Sequence, residues 1–453
     1  MKTKLFSLLI LILCTVSSKA QMSAYLADTL SALFHQRASS LQMKGIGAAI
    51  VFPDGSIWTD SHGKQGTKDL TPDLLYDIGS NTKSMTAAAM LLLVEDGKVT
   101  LDDTIGQYLP AINHVRGDIT IRQLLEHTSG MYSYTEHPNF VPWLNANWAN
   151  PLPSDSILPR FLQQPDFAPG TDWSYSNSGY VAAAMIIEKA SGKSYHQFLR
   201  ERIFDPLGLE DTYLAHYENY TKDYSGVWFP DGSFDDKVPV AMLTSAWSAG
   251  GVIATPADFA KWCHQLFGGQ LLSQKSFDQL TDTKVRPNGW NYGLGIIKSR
   301  ILGREYYGHG GTTLQHSAMQ YSVESDFSVA TIGLEADKSN QPVIMASILI
   351  GLMESELPNV PRTFLSTDGA EKEREFEARI YPMPATEQVF IETAAPAHIE
   401  VSVYSTSGAL VLEAESESGT LQLLQSEIGS GLFIAEIQNK ETGEILHQRI
   451  LFK

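Results

Sequence analysis

At 453 residues, 43% hydrophobic and 19% charged, the chain is long enough for two or more domains and has the balance of a soluble globular protein. A formal net charge of −18 argues against nucleic acid or an anionic membrane as a partner. Basic "MKTK", the apolar run Leu5 to Val16 and the small residues Ser18 and Ala20 predict a secretory signal peptide over residues 1–20. That run is too short to span a bilayer, and no integral membrane segment is expected elsewhere. Removing it takes Cys14 away and leaves Cys263 alone, so no intrachain disulfide can form. Export without disulfides suits a bacterium.

Residues 22–40 predict an amphipathic helix. "GIGAAIVF" and "SIWTDSHG" follow as strands joined at the turn Pro53-Asp54-Gly55. "DIGSNTKSMTAAAMLLLVEDGK" is nearly all apolar from Met85 onward and predicts a buried helix. "TIRQLLEHTSG" and "SGYVAAAMIIEKASG" predict helices that stop at glycine, and "TPADFAKWCHQLF" a helix with Thr255 as N-cap and Pro256 in its first turn. "YGLGI", "REYYGHGG", "HSAMQYSV" and "FSVATIGL" are strand candidates in a row, and "PVIMASILIGLMESEL" a closing helix. Strands at both ends with helices between them predict an α+β domain over 21–357. Residues 358–380, charged and poor in large apolar side chains, predict a solvated linker. The period-two alternation over 381–453 predicts a small all-β sandwich.

Chemistry concentrates in three short stretches. The first, "SNTK", puts Lys83 three residues after Ser80 at the start of the buried helix. Such residues share one helix face, with Cβ atoms about 5–6 Å apart. The bland explanation is a serine N-cap and a lysine that snorkels to solvent. The functional one is a serine nucleophile whose base is a lysine with its pKa lowered by desolvation. The second stretch, "TDWSYSNSGY", carries Tyr175 and Asn177; the third, "YYGHGG", carries His309, Gly310 and Gly311. Each is weak alone; together, in this order, they are specific. Among the other histidines none has metal-ligand spacing, and no G-x-S-x-G occurs, so neither a metal, a cofactor nor an α/β-hydrolase site is expected. Cys263 lies on an apolar helix face and reads as core.

On these residues, and on "LLEHTSGM", "IFDPLGL" and "SAGGVIATPADFAKW", the chain resembles the serine hydrolases that include class C β-lactamases, D-alanyl-D-alanine carboxypeptidases and related esterases. The resemblance implies a β-lactamase/transpeptidase-like fold, with an antiparallel sheet flanked by helices plus a helical region. It also implies roles. Ser80 would form an acyl-enzyme, Lys83 and Tyr175 would share the base role, and Asn177 would orient substrate and hold Lys83. The backbone N–H groups of Ser80 and Thr312 would form the oxyanion hole, with His309, Gly310 and Gly311 beside the substrate. Many relatives carry Lys-Thr-Gly where this chain has His309-Gly310-Gly311, which weakens recognition of a carboxylate. The expected activity is cleavage of an ester or amide in a small molecule or peptide. A β-lactamase proper and a catalytically silent binder of cell-wall or D-peptide ligands are the alternatives. "HPNFVPWLNANWANPLP" reads as an aromatic-pinned surface loop rather than a lid. The C-terminal stretches "YPMPATEQVFIE", "VSVYSTSGALV" and "GLFIAEIQNKETGEILHQRILFK" resemble the sorting domain of type IX secretion cargo in Bacteroidetes. That implies the type IX machinery as partner and a secreted or cell-surface protein; an accessory sandwich that binds sugar is the alternative.

Overall fold

The computed structural model describes residues 24–356, 378–381, 387–393, 396–405, 410–429, 431–442 and 445–452. The expected signal peptide and most of the expected linker lie outside the described residues. The chain forms two compact units, residues 1–361 and 362–453.

In the first unit a nine-stranded sheet runs in the order Lys68–Asp69, Ile57–Gln65, Gly45–Val51, Phe327–Gly333, His316–Ser322, Arg304–Thr312, Ile297–Ile301, Asn291–Tyr292, Lys284–Val285. Its first and last long strands pair antiparallel, Ile46 opposite Gly333 and Val51 opposite Ser328, which brings the two ends of the domain together. Every residue of Gly45–Val51 is buried, because both faces of this central strand are covered. The period of two then sorts its side chains. Ile46, Ala48 and Ile50 join a core with the helices Ala24–Ser40 and Gln341–Glu356. Ala49 and Val51 face the larger core, which contains the helices Thr82–Glu95, Asn177–Ser191 and Pro256–Phe267. An α+β architecture with helices on both faces of an antiparallel sheet is what the sequence predicts.

Local signals explain several elements. Thr255 accepts a hydrogen bond from the Asp258 N–H with Pro256 in the first turn, and Asn177–Ser191 ends on Gly192 in the left-handed conformation. Two expectations need correction. The helix of "TIRQLLEHTSG" covers Ile121–Leu125 only, capped at Thr120 by a capping box, and stops well short of Gly130. The chain turns at His127, which adopts a φ of 65°. "YGLGI" is the end of the strand Asn291–Tyr292 followed by a bend, rather than a strand of its own. Gly295, at φ 70°, sits so close to the Lys83 carbonyl oxygen that a Cβ there would lie 2.7 Å from it, and the next strand begins at Ile297. The aromatic segment after "HTSG" contains the short helix Phe140–Ala146, pinned by Phe140 and Trp143 edge-on to Phe161.

In the second unit a three-stranded sheet (Ala378–Tyr381, Gln388–Thr393, Thr420–Leu424) and a four-stranded sheet (Leu410–Ser416, Ile399–Ser405, Gly431–Asn439, Ile445–Phe452) share one core. Val389, Ile391 and Leu423 from the first meet Val401, Val403 and Ile437 from the second, making the expected sandwich. Its first strand starts at Ala378, inside the stretch assigned to the linker. Among the described residues no helix is long and apolar enough to cross a membrane.

Candidate active site

Ser80 sits in a single 3₁₀ turn, Gly79–Asn81, that runs into the helix Thr82–Glu95. The turn is stitched to the sheet: the Asn81 Nδ2 donates to the Ile78 carbonyl and to Ser317 Oγ, both at 2.8 Å. Gly79 is at φ 51°, and a Cβ there would lie 2.7 Å from the backbone nitrogen of Thr312. The absence of side chains at Gly79 and Gly311 thus lets the turn that carries Ser80 and the end of the strand Arg304–Thr312 come into backbone contact.

Lys83 is completely buried. Its Nζ lies 3.0 Å from Ser80 Oγ, 2.7 Å from Asn177 Oδ1 and 2.7 Å from the carbonyl oxygen of Ala249. It also lies over the rings of Tyr175 and Tyr180, 4.9 and 5.5 Å from their centroids. Burial drives the pKa of Lys83 well below the ordinary lysine value. Burial raises that of the Tyr175 hydroxyl, which a hydrogen bond to Ser80 only partly opposes. Asn177 opens its helix and is engaged in full: its Nδ2 donates to Thr135 Oγ1 at 3.0 Å and its N–H to Ser133 Oγ at 3.2 Å.

His309 lies beside this group and faces the protein with both ring nitrogens. Nδ1 is 2.5 Å from the Gly310 carbonyl oxygen, and Nε2 is 3.1 Å from the Tyr292 hydroxyl. That hydroxyl is in turn 3.0 Å from Nε2 of His127, whose Nδ1 accepts the Ser176 N–H at 3.1 Å. One proton arrangement satisfies every member. Ser176 N–H donates to His127 Nδ1, His127 Nε2–H to Tyr292, Tyr292 O–H to His309 Nε2, and His309 Nδ1–H to Gly310. Both imidazoles are then neutral. Burial, followed by repulsion from Lys83, depresses both, His309 to about 3 and His127 well below its usual value. His127 also packs against Tyr175, their rings tilted by 38° with centroids 4.2 Å apart.

The structure therefore gathers Ser80, Lys83, Tyr175, Asn177 and the His309–Thr312 strand end around one point. Sequence reasoning did not single out His127, Tyr292 or the Ala249 carbonyl. His127 stood in the quoted "LLEHTSGM", but with the spacing of no known chemistry. The Ala249 carbonyl is directed by a backbone kink at buried Trp247 (φ 38°, ψ −118°), a strained conformation that no residue type announces. Gln315, four residues after Gly311, is fully buried. Its side chain accepts from the Asp77 N–H and donates to Ser225 Oγ and the Gly226 carbonyl, tying the segment before Ser80 to that loop.

The family profile described as Beta-lactamase matches residues 30–332, and that of the Secretion system C-terminal sorting domain matches residues 379–452. A putative penicillin-binding protein, PbpX, of Bacillus subtilis (strain 168) is 30% identical over 237 residues, 52% of this chain and 56% of that protein. The chain spans about half the length of the curated relatives it matches. Among solved structures, a D-stereospecific amidohydrolase from Streptomyces sp. is 30% identical with a TM-score of 0.61, covering 70% of this chain and 98% of its own. A D-amino acid amidase from Ochrobactrum anthropi SV3, complexed with L-phenylalanine, is 26% identical with a TM-score of 0.64, covering 74% and 99%.

Proposed function

The chain belongs to the beta-lactamase family and carries a C-terminal secretion sorting domain, and we propose that it is an exported serine hydrolase acting through an acyl-Ser80 intermediate. The observation that carries this reading is the set of partners around Lys83. A neutral amine has two N–H groups and one lone pair. With Asn177 Oδ1 and the Ala249 carbonyl taking the two protons, the lone pair is left for the Ser80 hydroxyl. Lys83 then takes the Ser80 proton as Oγ attacks the carbonyl carbon. The backbone N–H groups of Ser80 and Thr312 receive the oxyanion, where one such donor is typically worth about 10²–10³ in rate. The opposed shifts of Lys83 and Tyr175 separate their roles. Lys83 is the first base. Tyr175, kept protonated, hands its proton to the leaving group and is reprotonated from Lys83. Water enters by the reverse route, giving up one proton and leaving a carboxylic acid and free Ser80.

The substrate is an ester or amide, with D-amino-acid derivatives favoured by the names of the relatives above. With both nitrogens of His309 engaged and Gly310 without a hydroxyl, nothing in the third motif matches the carboxylate of a β-lactam or a peptide C-terminus. A D-amino-acid amide or ester fits better than a carboxypeptidase or β-lactamase substrate. The match to a secretion sorting domain supports export through the type IX machinery to the secreted or cell-surface compartment.

The test is intact-mass spectrometry of the purified chain and its Ser80→Ala variant with a D-alanine ester, a D-Ala-D-Ala peptide and a penicillin. An adduct or turnover that disappears in the variant, strongest with the D-alanine ester, is expected. The same turnover in the variant would remove Ser80 from the mechanism. Faster turnover of penicillin would restore the β-lactamase reading.

A further inference from the structure

Trp290 is 42% exposed. It sits on the hairpin between the strands Lys284–Val285 and Asn291–Tyr292, and its backbone is held firmly there. Arg286 N–H donates to the Trp290 carbonyl at 2.7 Å, Trp290 N–H to Asn288 Oδ1 at 3.0 Å, and the Arg286 guanidinium pairs with Glu126 at 3.2 Å. The hairpin is clamped while the indole stays in water. A single exposed apolar residue needs no explanation, but the company of this one does. Its ring stands edge-on to Tyr175, centroids 5.9 Å apart at 85°, and meets Trp173 at 6.3 Å and 71°. Trp173 is fixed in turn by its Nε1–H donating to the Glu126 carbonyl at 2.9 Å. The two indoles thus stand at the solvent edge beside Tyr175, with the Tyr292 ring stacked on Trp290 at 6.5 Å and 18° and the rest of the Trp290 ring exposed.

We propose that these two indoles bind an aromatic or flat apolar leaving group, an inference that rests on the hydrolase reading. The side follows from the chemistry. Tyr175 gives its proton to the leaving atom, so whatever flanks the outer side of Tyr175 contacts the departing group rather than the acyl chain. Aromatic pairs at these centroid separations prefer offset or edge-on geometry, and the indoles offer a substrate ring both. Trp290 is a specificity residue here, not a catalytic one.

The experiment measures kcat/KM for D-alanine benzyl ester, D-alanine methyl ester and D-phenylalanine methyl ester with the wild type, Trp290→Ala and Trp290→Phe. Each ratio is compared between proteins on the same pair of compounds, so intrinsic leaving-group reactivity cancels. The benzyl-to-methyl ratio should fall about threefold to tenfold in Trp290→Ala and hold within about twofold in Trp290→Phe. The ratio of D-phenylalanine to D-alanine methyl esters should not move. An unchanged benzyl-to-methyl ratio in Trp290→Ala overturns the proposal, and so does a fall confined to the D-phenylalanine ratio. No Ser80-dependent turnover of any of the three esters would instead bring down the hydrolase reading, and this inference with it.

Discussion

A neutral buried histidine is a pH liability that can be measured. An unfolded chain protonates His309 near 6.5, whereas the fold holds it neutral to about 3. Below 6.5 the unfolded state therefore binds the extra proton, and stability falls as pH falls, by about 1.4 kcal/mol per unit for each such group. His127 acts in the same sense. Asp77 acts in the opposite one: burial pushes its pKa up to about 6, so the native state gains a proton first and recovers some stability between about 6 and 3.8. A comparison of wild type with His309→Gln isolates the single histidine. Between pH 7 and pH 5 the variant should lose about 2 kcal/mol less unfolding free energy, read from denaturant melts at both values. Equal losses would mean that His309 is charged in the fold.

Among the elements, one close juncture is the turn that carries Ser80 against the strand Arg304–Thr312. A Cβ on Gly311 would lie 2.1 Å from the Ile78 carbonyl oxygen and 2.4 Å from Ser317 Oγ, whereas the nearest atom to a Cβ on Gly310 is 3.8 Å away. Gly311→Ala should thus push strand and turn apart and cut the acylation rate at least 10²-fold, while Gly310→Ala should acylate at close to the wild-type rate. Stopped-flow acylation of the two variants decides it; parity between them would refute the contact. Elements of this kind were legible in the sequence where a local rule governs them. Thr255, Pro256 and Gly192 mark helix ends, and the strand Gly45–Val51 is apolar throughout because both its faces are covered. The reversal at His127, the bend at Gly293–Gly295 and the kink at Trp247 were not legible. In each, tertiary contacts around Lys83 and His309 impose a backbone conformation that local propensity does not favour.

For the molecule as a whole, the two units have separate hydrophobic cores, with Val389, Val401 and Ile437 in a cluster apart from that around Thr82–Glu95. Deleting residues 362–453 should therefore leave the melting temperature of the first unit, and the ester hydrolysis proposed for it, within experimental error, checked by calorimetry and ester hydrolysis. A loss of several degrees would show that the sorting unit supports the fold. The charged stretch that the sequence offered as a linker over 358–380 overlaps the first strand of the second unit, which starts at Ala378, and the group around Lys83 is drawn from three motifs scattered along the chain. What the sequence could not signal was the hydrogen-bond chain from Ser176 to Gly310, because its members are drawn from four separate segments that only the folded sheet brings together.

Cys263 lies in the helix Pro256–Phe267, fully buried, and its thiol is pushed well above the usual range by that burial. Among the described residues it is the one cysteine. The molecule thus carries its own clock. A thiol-alkylating reagent can reach this sulfur when the larger core opens, and reclosing outpaces alkylation, so the labelling rate in native buffer reads the fraction of time the core stands open without any engineered probe. Ligands that occupy the cleft should slow that clock in proportion to how tightly they are held.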